Sequence, residues 1–181
     1  MKIIPKAIDE VLLLEPAVYG DERGYFMETF RASTFRESGR EFTFVQDNQS
    51  RSKRGTLRGL HYQLQYPQVK VVRVTSGEVF DVAVDIRRSS STFGSWVGET
   101  LSSENKKQLW VPPGFAHGFL VLSDEAELLY KCTDYYNPDD EHCLLWNDPE
   151  LNIAWPSIDV EPILSEKDQA AMILTKAMVY P

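Results

Sequence analysis

Hydrophobic and polar positions in this chain alternate in short runs, not at helical spacing. The pattern is clearest over residues 69–86, where two alternating segments flank Ser76-Gly77, a pair that favours a tight turn and so predicts a β-hairpin. Further strands are expected over 25–30, 42–46, 56–63, 109–111, 118–122 and 126–133, runs rich in β-branched and aromatic residues. Helix signals are confined to 33–38, stopped by Gly39, and to a segment opening at Ser165-Glu166-Lys167-Asp168, where a serine precedes acidic residues suited to a helix start. Short strands with little helix predict a mainly β fold, a sandwich or barrel with a few short helices. No linker, repeat or low-complexity tract interrupts the pattern, so residues 1–181 are expected to form one domain.

Side-chain alternation carries the hairpin further. If Ser76 and Gly77 form a two-residue loop, Thr75 faces Glu78, Val72 faces Asp81 and Lys70 faces Ala83. Lys70, Val72, Val74, Val79, Asp81, Ala83 and Asp85 then share one face, with Asp81 and Asp85 diagonal to Lys70. The other face, with Val71, Phe80, Val82, Val84 and Ile86, suits a dry core against a second sheet. The Lys70 face suits either a ligand cavity or an ordinary surface charge pair, worth about 0–1 kcal/mol.

Composition narrows the function classes. Of 181 residues, 43% are hydrophobic and 25% charged, a globular balance at a size that hides about 70% of the surface an unfolded chain exposes. The net charge of −8 argues against nucleic acid or anionic membrane as partners, so any bound phosphate must meet local arginines. Asp9 and Glu10 interrupt the N-terminal region before the short apolar stretch 11–14, and no run approaches the roughly 18 apolar residues of a membrane span. A cytoplasmic protein without a signal peptide is expected. Cys132 and Cys143 form no C-x-x-C pair and read as reduced thiols.

Chemistry near neutral pH has three histidines to draw on, His61, His117 and His142. His61 lies in the strand-like run Leu57-Arg58-Gly59-Leu60-His61-Tyr62-Gln63. His117 ends the Pro112-Pro113-Gly114-Phe115-Ala116-His117 run, which resembles the second motif of the cupin superfamily, small β-barrels whose histidine at this place often binds a metal. The first cupin motif supplies a His-x-His pair, whereas His61-Tyr62-Gln63 stands here. Two imidazoles fall short of the roughly three protein ligands of a catalytic metal, so no metal is expected. His142, within Asp139-Asp140-Glu141-His142, reads as a solvated loop residue.

Several motifs together identify a closer resemblance: Arg23-Gly24-Tyr25-Phe26, Phe44-Val45-Gln46-Asp47-Asn48, Leu57-Arg58-Gly59-Leu60-His61, Gly77-Glu78-Val79-Phe80-Asp81-Val82, Gly114-Phe115-Ala116-His117-Gly118-Phe119, Leu128-Leu129-Tyr130-Lys131, Leu145-Trp146-Asn147-Asp148 and Leu164-Ser165-Glu166-Lys167-Asp168. In this order, and nearly end to end, the chain resembles the dTDP-4-dehydrorhamnose 3,5-epimerases. The resemblance implies a cupin-type jelly-roll β-barrel, a homodimer with shared N-terminal strands, no cofactor, and a dTDP-sugar substrate. That substrate is dTDP-4-dehydro-6-deoxyglucose, inverted at C3 and C5 on the way to dTDP-rhamnose. Val69 before Lys70, where glycine is frequent, and Met172, where proline is usual, are mild departures that leave every reacting group in place.

Removing a hydrogen next to the C4 ketone gives an enolate, and inversion needs a proton from the opposite face, hence one base and one acid. By resemblance His61 is the base, paired with Asp168, and Tyr130 the acid. Lys70, held by Asp81, would stabilise the enolate oxygen. His117 would lie near the ketone or the sugar, and Arg23 and Arg58 would grip the diphosphate. Phe26, Glu28, Gln46, Asn48, Tyr136 and Lys167 would complete the nucleotide and sugar contacts. Each has a plainer reading: Asp168, three residues after Ser165, suits helix capping, Tyr130 suits a half-buried strand aromatic, and the arginines suit a solvated surface. Strict alternation also puts Arg58 on the face opposite His61, so its assignment requires a bulge, plausibly at Gly59. Three rivals stay open: a single-position epimerase, a metal-dependent cupin and a non-catalytic carbohydrate-binding jelly roll.

Overall fold

A computed structural model of the protein describes residues 1–37 and 42–181. In chain order its strands are β1 (Lys2–Pro5), β2 (Leu12–Glu15), β3 (Val18–Asp21), β4 (Gly24–Met27), β5 (Gln46–Lys53), β6 (Leu57–Gln63), β7 (Lys70–Ser76), β8 (Glu78–Asp85), β9 (Trp96–Ser102), β10 (Gln108–Val111), β11 (Phe115–Val121), β12 (Glu125–Cys132) and β13 (Glu141–Cys143). The helices are short, α1 (Ala32–Glu37) and α2 (Glu166–Gln169). One antiparallel sheet runs β1-β2-β10-β7-β12-β5 and the other β13-β6-β11-β8-β9, while β3 and β4 pair as a separate ribbon.

The expected hairpin over residues 69–86 does not exist. β7 pairs with β10 and β12, β8 pairs with β11 and β9, and the chain crosses from one sheet to the other at Gly77. Gly77 has φ 75°, and a Cβ there would lie 2.1 Å from the Glu125 carbonyl oxygen, so glycine is required at the crossing. The face grouping survives for another reason. Val72 and Val74 from one sheet meet Val79 and Ala83 from the other in the inter-sheet core, with Leu13, Leu109, Phe119 and Leu128. Alternation reports which side chains share a face and is silent on which strand lies beside them.

Part of each outer face is dry as well. Val82, Val84 and Ile86 are covered by Leu151, Leu174 and Ala177 from the C-terminal segment. Val71, Leu12, Leu14 and the fully buried Trp110 pack beneath Phe35 of α1, whose ring stacks on the indole with centroids 4.9 Å apart. Burying each such side chain stabilises the fold by about 1.5–3 kcal/mol.

Other expectations shift. The helix over 33–38 corresponds to α1, while its end at Ser38 and Gly39 lies outside the described residues. The strand expected over 42–46 begins only at Gln46 and continues as the polar β5, whose run Gln46-Asp47-Asn48-Gln49-Ser50-Arg51-Ser52-Lys53 carries no hydrophobic alternation to mark it. The strand expected over 25–30 ends at Met27, and the β3–β4 ribbon exposes Tyr19, Tyr25 and Phe26. His142 sits on β13, not in a free loop, with its ring stacked on Tyr62 at 5.4 Å. Among the described residues no helix is long and apolar enough to cross a membrane.

Candidate active site

The site begins with a bulge in β6. His61 pairs with His117 on β11, but Arg58 pairs with Phe119, so three steps along β6 match two along β11. The extra residue falls at Gly59, which has φ 112° and whose Cβ, if present, would lie 2.6 Å from the His117 carbonyl oxygen. A cis peptide joins Gly59 to Leu60. The bulge brings Arg58 round to the side of His61, and both line one broad opening with Arg51, Ser165 and Lys167.

Asp168 stands behind His61, and both of its sequence readings hold at once. Ser165 caps α2, its Oγ accepting the Asp168 backbone N–H at 3.2 Å and donating to Asp168 Oδ2 at 2.7 Å. Asp168 Oδ1 meets His61 Nε2 at 2.6 Å, accepts the Gly59 N–H at 3.3 Å and lies 3.6 Å from Cys143 Sγ. Burial alone would raise this carboxyl, which is 2% exposed, but the bonds from His61, Ser165 and Gly59 outweigh it and hold the pKa at about 2. The carboxylate is therefore ionised at neutral pH and can only accept. Nε2 carries the proton, and the lone pair available for chemistry is on Nδ1.

The opposite wall comes from the other sheet. Lys70 on β7 and Tyr130 on β12 face a cleft of about 100 Å³ that His61 also lines, with Gln46, Asn48, Tyr136 and Glu141. Burial pushes the Tyr130 phenol up from its ordinary value, so it holds its proton at neutral pH. Burial pushes the Lys70 ammonium down, with Cys132, Glu141 and Asp81 acting against it. Among the described residues no carboxylate comes within 4.0 Å of the lysine nitrogen, so an oxygen gaining charge in the cleft would be its partner.

A proton acceptor on one wall and a phenol and a lysine on the other fit one chemistry, and similarity agrees. The family model for dTDP-4-dehydrorhamnose 3,5-epimerase matches residues 5–176. The chain belongs to the dTDP-4-dehydrorhamnose 3,5-epimerase family. It is 57% identical to a protein of that name from Pseudomonas aeruginosa over the whole of both chains, and 51% identical to one from Methanothermobacter thermautotrophicus, covering 99% of this chain and 97% of the other. Among solved structures it is similar to dTDP-6-deoxy-D-glucose-3,5-epimerase from Legionella pneumophila in complex with dTDP-4-keto-L-rhamnose, with TM-score 0.94, 56% identity and coverage of 97% and 93%. A 3'-monoepimerase from Streptomyces bikiniensis in complex with dTDP-quinovose has TM-score 0.90, 38% identity and coverage of 95% and 87%. The two facing sheets are thus the jelly roll of this epimerase family.

Within that family frame, the remaining expected residues divide into three groups. Gln46, Asn48, Tyr136 and Lys167 rim the cleft in a hydrogen-bonded chain. The Tyr136 N–H donates to Gln46 Oε1 at 3.0 Å, Gln46 Nε2 donates to Asn48 Oδ1 at 3.0 Å, and the Tyr136 hydroxyl and Lys167 both reach Glu141, at 2.8 and 2.7 Å. His117 and Asp81 lie elsewhere. His117 Nε2 is 2.9 Å from Asp81 Oδ1, and the two are 7% and 0% exposed. Asp81 therefore does not hold Lys70 in an ion pair: it bonds His117 instead and acts on the lysine only through its charge. Arg23, Phe26 and Glu28 form the third group, on or just after the exposed ribbon. Arg23 is tied to Asp21 and Glu28 to Arg31, and neither the ribbon nor Glu28 lines the His61 cleft within one chain.

Sequence reasoning missed Glu141 and Cys143. Glu141 is held below the ordinary carboxylate range by Lys167 and Tyr136 although burial opposes this. Both residues enter the site because β13 pairs with β6, Glu141 opposite Gln63 and Cys143 opposite His61. Three residues in an acidic run gave no alternation long enough to reveal that pairing.

Proposed function

We propose that the protein inverts C3 and C5 of dTDP-4-dehydro-6-deoxyglucose to give dTDP-4-dehydrorhamnose, in dTDP-rhamnose biosynthesis, using its own side chains and no cofactor. The observation that carries this is one cleft with His61, backed by an ionised Asp168, on one wall and Tyr130 with Lys70 on the other. His61 Nδ1 takes the hydrogen from the carbon beside the ketone, the C–H bond pair moves into the enolate, and the growing charge on the ketone oxygen meets Lys70. Asp168 steadies the imidazolium formed. The Tyr130 hydroxyl then gives its proton to the other face of the same carbon. Exchange with solvent returns the extra proton from His61 and restores the phenol, and the cycle repeats at the second carbon.

Arg58 and Lys167, beside the broad opening next to His61, suit the diphosphate. Arg23, Phe26 and Glu28 line no part of this cleft in the same chain, which supports a homodimer in which the exposed ribbon of one copy completes the site of the other. Phe26, 71% exposed, would then offer its ring to thymine. We place this single-domain enzyme in the cytoplasm.

Incubation with dTDP-4-dehydro-6-deoxyglucose in heavy water, read by NMR, tests the reading. Deuterium at both C3 and C5 is expected. Label at one carbon would instead make this a single-position epimerase, and no label would remove both. Mixing inactive Arg23→Ala and His61→Ala variants tests the shared site, since exchange of subunits should restore part of the activity.

A further inference from the structure

Three potential metal ligands converge behind the cleft from three separate elements: His61 on β6, Cys143 on β13 and Asp168 on α2. Their ligand atoms all lie within 4.8 Å of one another. His61 Nε2 is 2.6 Å and Cys143 Sγ 3.6 Å from Asp168 Oδ1, and Cys143 is locked opposite His61 by the β13–β6 pairing. This differs from the His61–His117 pair that the cupin pattern points to, because His117 is committed to Asp81.

We propose that His61, Cys143 and Asp168 form a site for a thiophilic divalent cation, Zn²⁺ foremost, whose binding switches the epimerase off. An imidazole, a thiolate and a carboxylate are the donors zinc takes, at about 2.0–2.3 Å, and three protein ligands leave a fourth position for water. Tetrahedral bonds of that length set the nitrogen and oxygen donors more than 3 Å apart, so the imidazole must swing away from Asp168 by somewhat under 1 Å. The sulfur–oxygen separation already suits. Access runs through the broad opening beside His61 and Asp168, where two of the lining cations are paired, Lys167 with Glu141 at 2.7 Å and Arg51 with Glu125. Ser165 and the Gly59 N–H continue to orient the carboxylate, an arrangement that favours metal binding as well as base positioning.

Binding forms zinc bonds to nitrogen, sulfur and oxygen without redox change. The thiol proton leaves to solvent, and the Nε2 proton is replaced by one on Nδ1, so the imidazole stays neutral. With Nδ1 protonated and Nε2 on the metal, His61 has no lone pair with which to take a proton from carbon. The inhibitory half of this proposal rests on His61 serving as the base, whereas the binding half does not.

Two measurements on the full-length, tag-free protein separate those halves. Titration with Co²⁺, a coloured substitute for zinc, is expected to give the near-ultraviolet sulfur-to-cobalt charge-transfer band of a thiolate ligand. That band should vanish in both Cys143→Ser and Cys143→Ala, with circular dichroism verifying that each is folded, and survive in Cys132→Ser. No band, or one that survives loss of Cys143, overturns the site. In Zn²⁺-buffered assays, inhibition is expected to be reversed by chelator. In the Cys143 variants the half-inhibiting concentration, relative to each variant's own metal-free rate, should rise beyond the about 10–100-fold that loss of an outer-shell partner costs. A Co²⁺ band lost with Cys143 but no inhibition by Zn²⁺ would overturn the switch, and if the protein fails to epimerise the keto-sugar at all, the spectrum still decides the site.

Discussion

Exchanging Asp168 for asparagine separates the charge of this residue from its shape. The Gly59 N–H points at the Oδ1 position, so the amide oxygen of an asparagine would settle there and its –NH₂ would face Ser165 Oγ, which can turn a lone pair toward it. His61 would keep its tautomer and lose only the carboxylate. Two unit charges about 4 Å apart attract by roughly 4 kcal/mol at an effective dielectric of 20, and the amide dipole keeps part of that, leaving a loss of about 3 kcal/mol when imidazolium forms. At 1.36 kcal/mol per decade this is about 10²-fold in kcat. Stability should respond too. The folded pKa of about 2 lies below the unfolded value of 3.8, so the carboxylate stabilises the fold above about pH 4, and this contribution is lost as pH falls toward 2. The shift corresponds to roughly 2.5 kcal/mol, and urea unfolding of Asp168→Asn should lack that much of the acid-side decline. A variant within threefold of normal kcat, with an unchanged acid decline, would refute the assigned role of this carboxylate.

His61→Ala and Tyr130→Phe should keep a native circular dichroism spectrum and lose turnover, since each removes one proton carrier, and near-normal rates in either would withdraw its role. Lys70→Met should lower kcat by about 10²–10³-fold, the scale of losing one preorganised charge partner. The same change should leave the melting temperature equal or higher, because burial lowers the lysine's pKa and so makes its charged form a cost to the fold at neutral pH; a sharp drop in melting temperature would contradict this. Gly98→Ala should cost about 1–3 kcal/mol by differential scanning calorimetry while sparing kcat, since its Cβ would meet the Phe80 ring at 2.2 Å on the sheet's outer face. An unchanged melting temperature would show that the ring beneath Trp155 yields easily.

How much of this was legible in the sequence depended on whether the information was local. Strand identity at β6, β7, β8 and β12 followed from alternation, and the Gly59 bulge followed from alternation together with the resemblance, which assigned both Arg58 and His61 to one site that they could share only with one residue extra. The partner of each strand was not local. Ser76-Gly77 suits a hairpin and a crossing between sheets equally, and choosing the hairpin placed Asp81 and Asp85 beside Lys70. In the fold Asp81 faces His117, and Asp85 is held at about pKa 2 by Arg87, Ser90 and Thr92 although burial opposes it. β5 and β13 escaped notice because polar strands at the rim of a binding cleft carry no hydrophobic period, which is also why Glu141 and Cys143 were missed.

The two histidine–aspartate pairs show what then distinguishes a reacting group from a structural one. His61 and His117 are directly opposite on adjacent strands, and each has a carboxylate within 2.9 Å. By motif His117 is the more conspicuous. Yet β11 lies between the long strands β6 and β8, while His61 has only the three-residue β13 on its outer side, and the His117 side chain is 8% exposed against 24% for His61. Beyond β6 comes only the three-residue β13, and the sheet ends where Arg58, Lys167 and the cleft begin. A base must reach solvent or substrate to gain and lose its proton, so the greater exposure of His61 beside the last, short strand, together with the three donors that keep Asp168 charged, selects His61. Asp81, whose Oδ2 has no hydrogen-bond partner, has neither that support nor a route for substrate. Equal pairings on neighbouring strands therefore have unequal chemistry, and the inequality comes from where the second sheet stops.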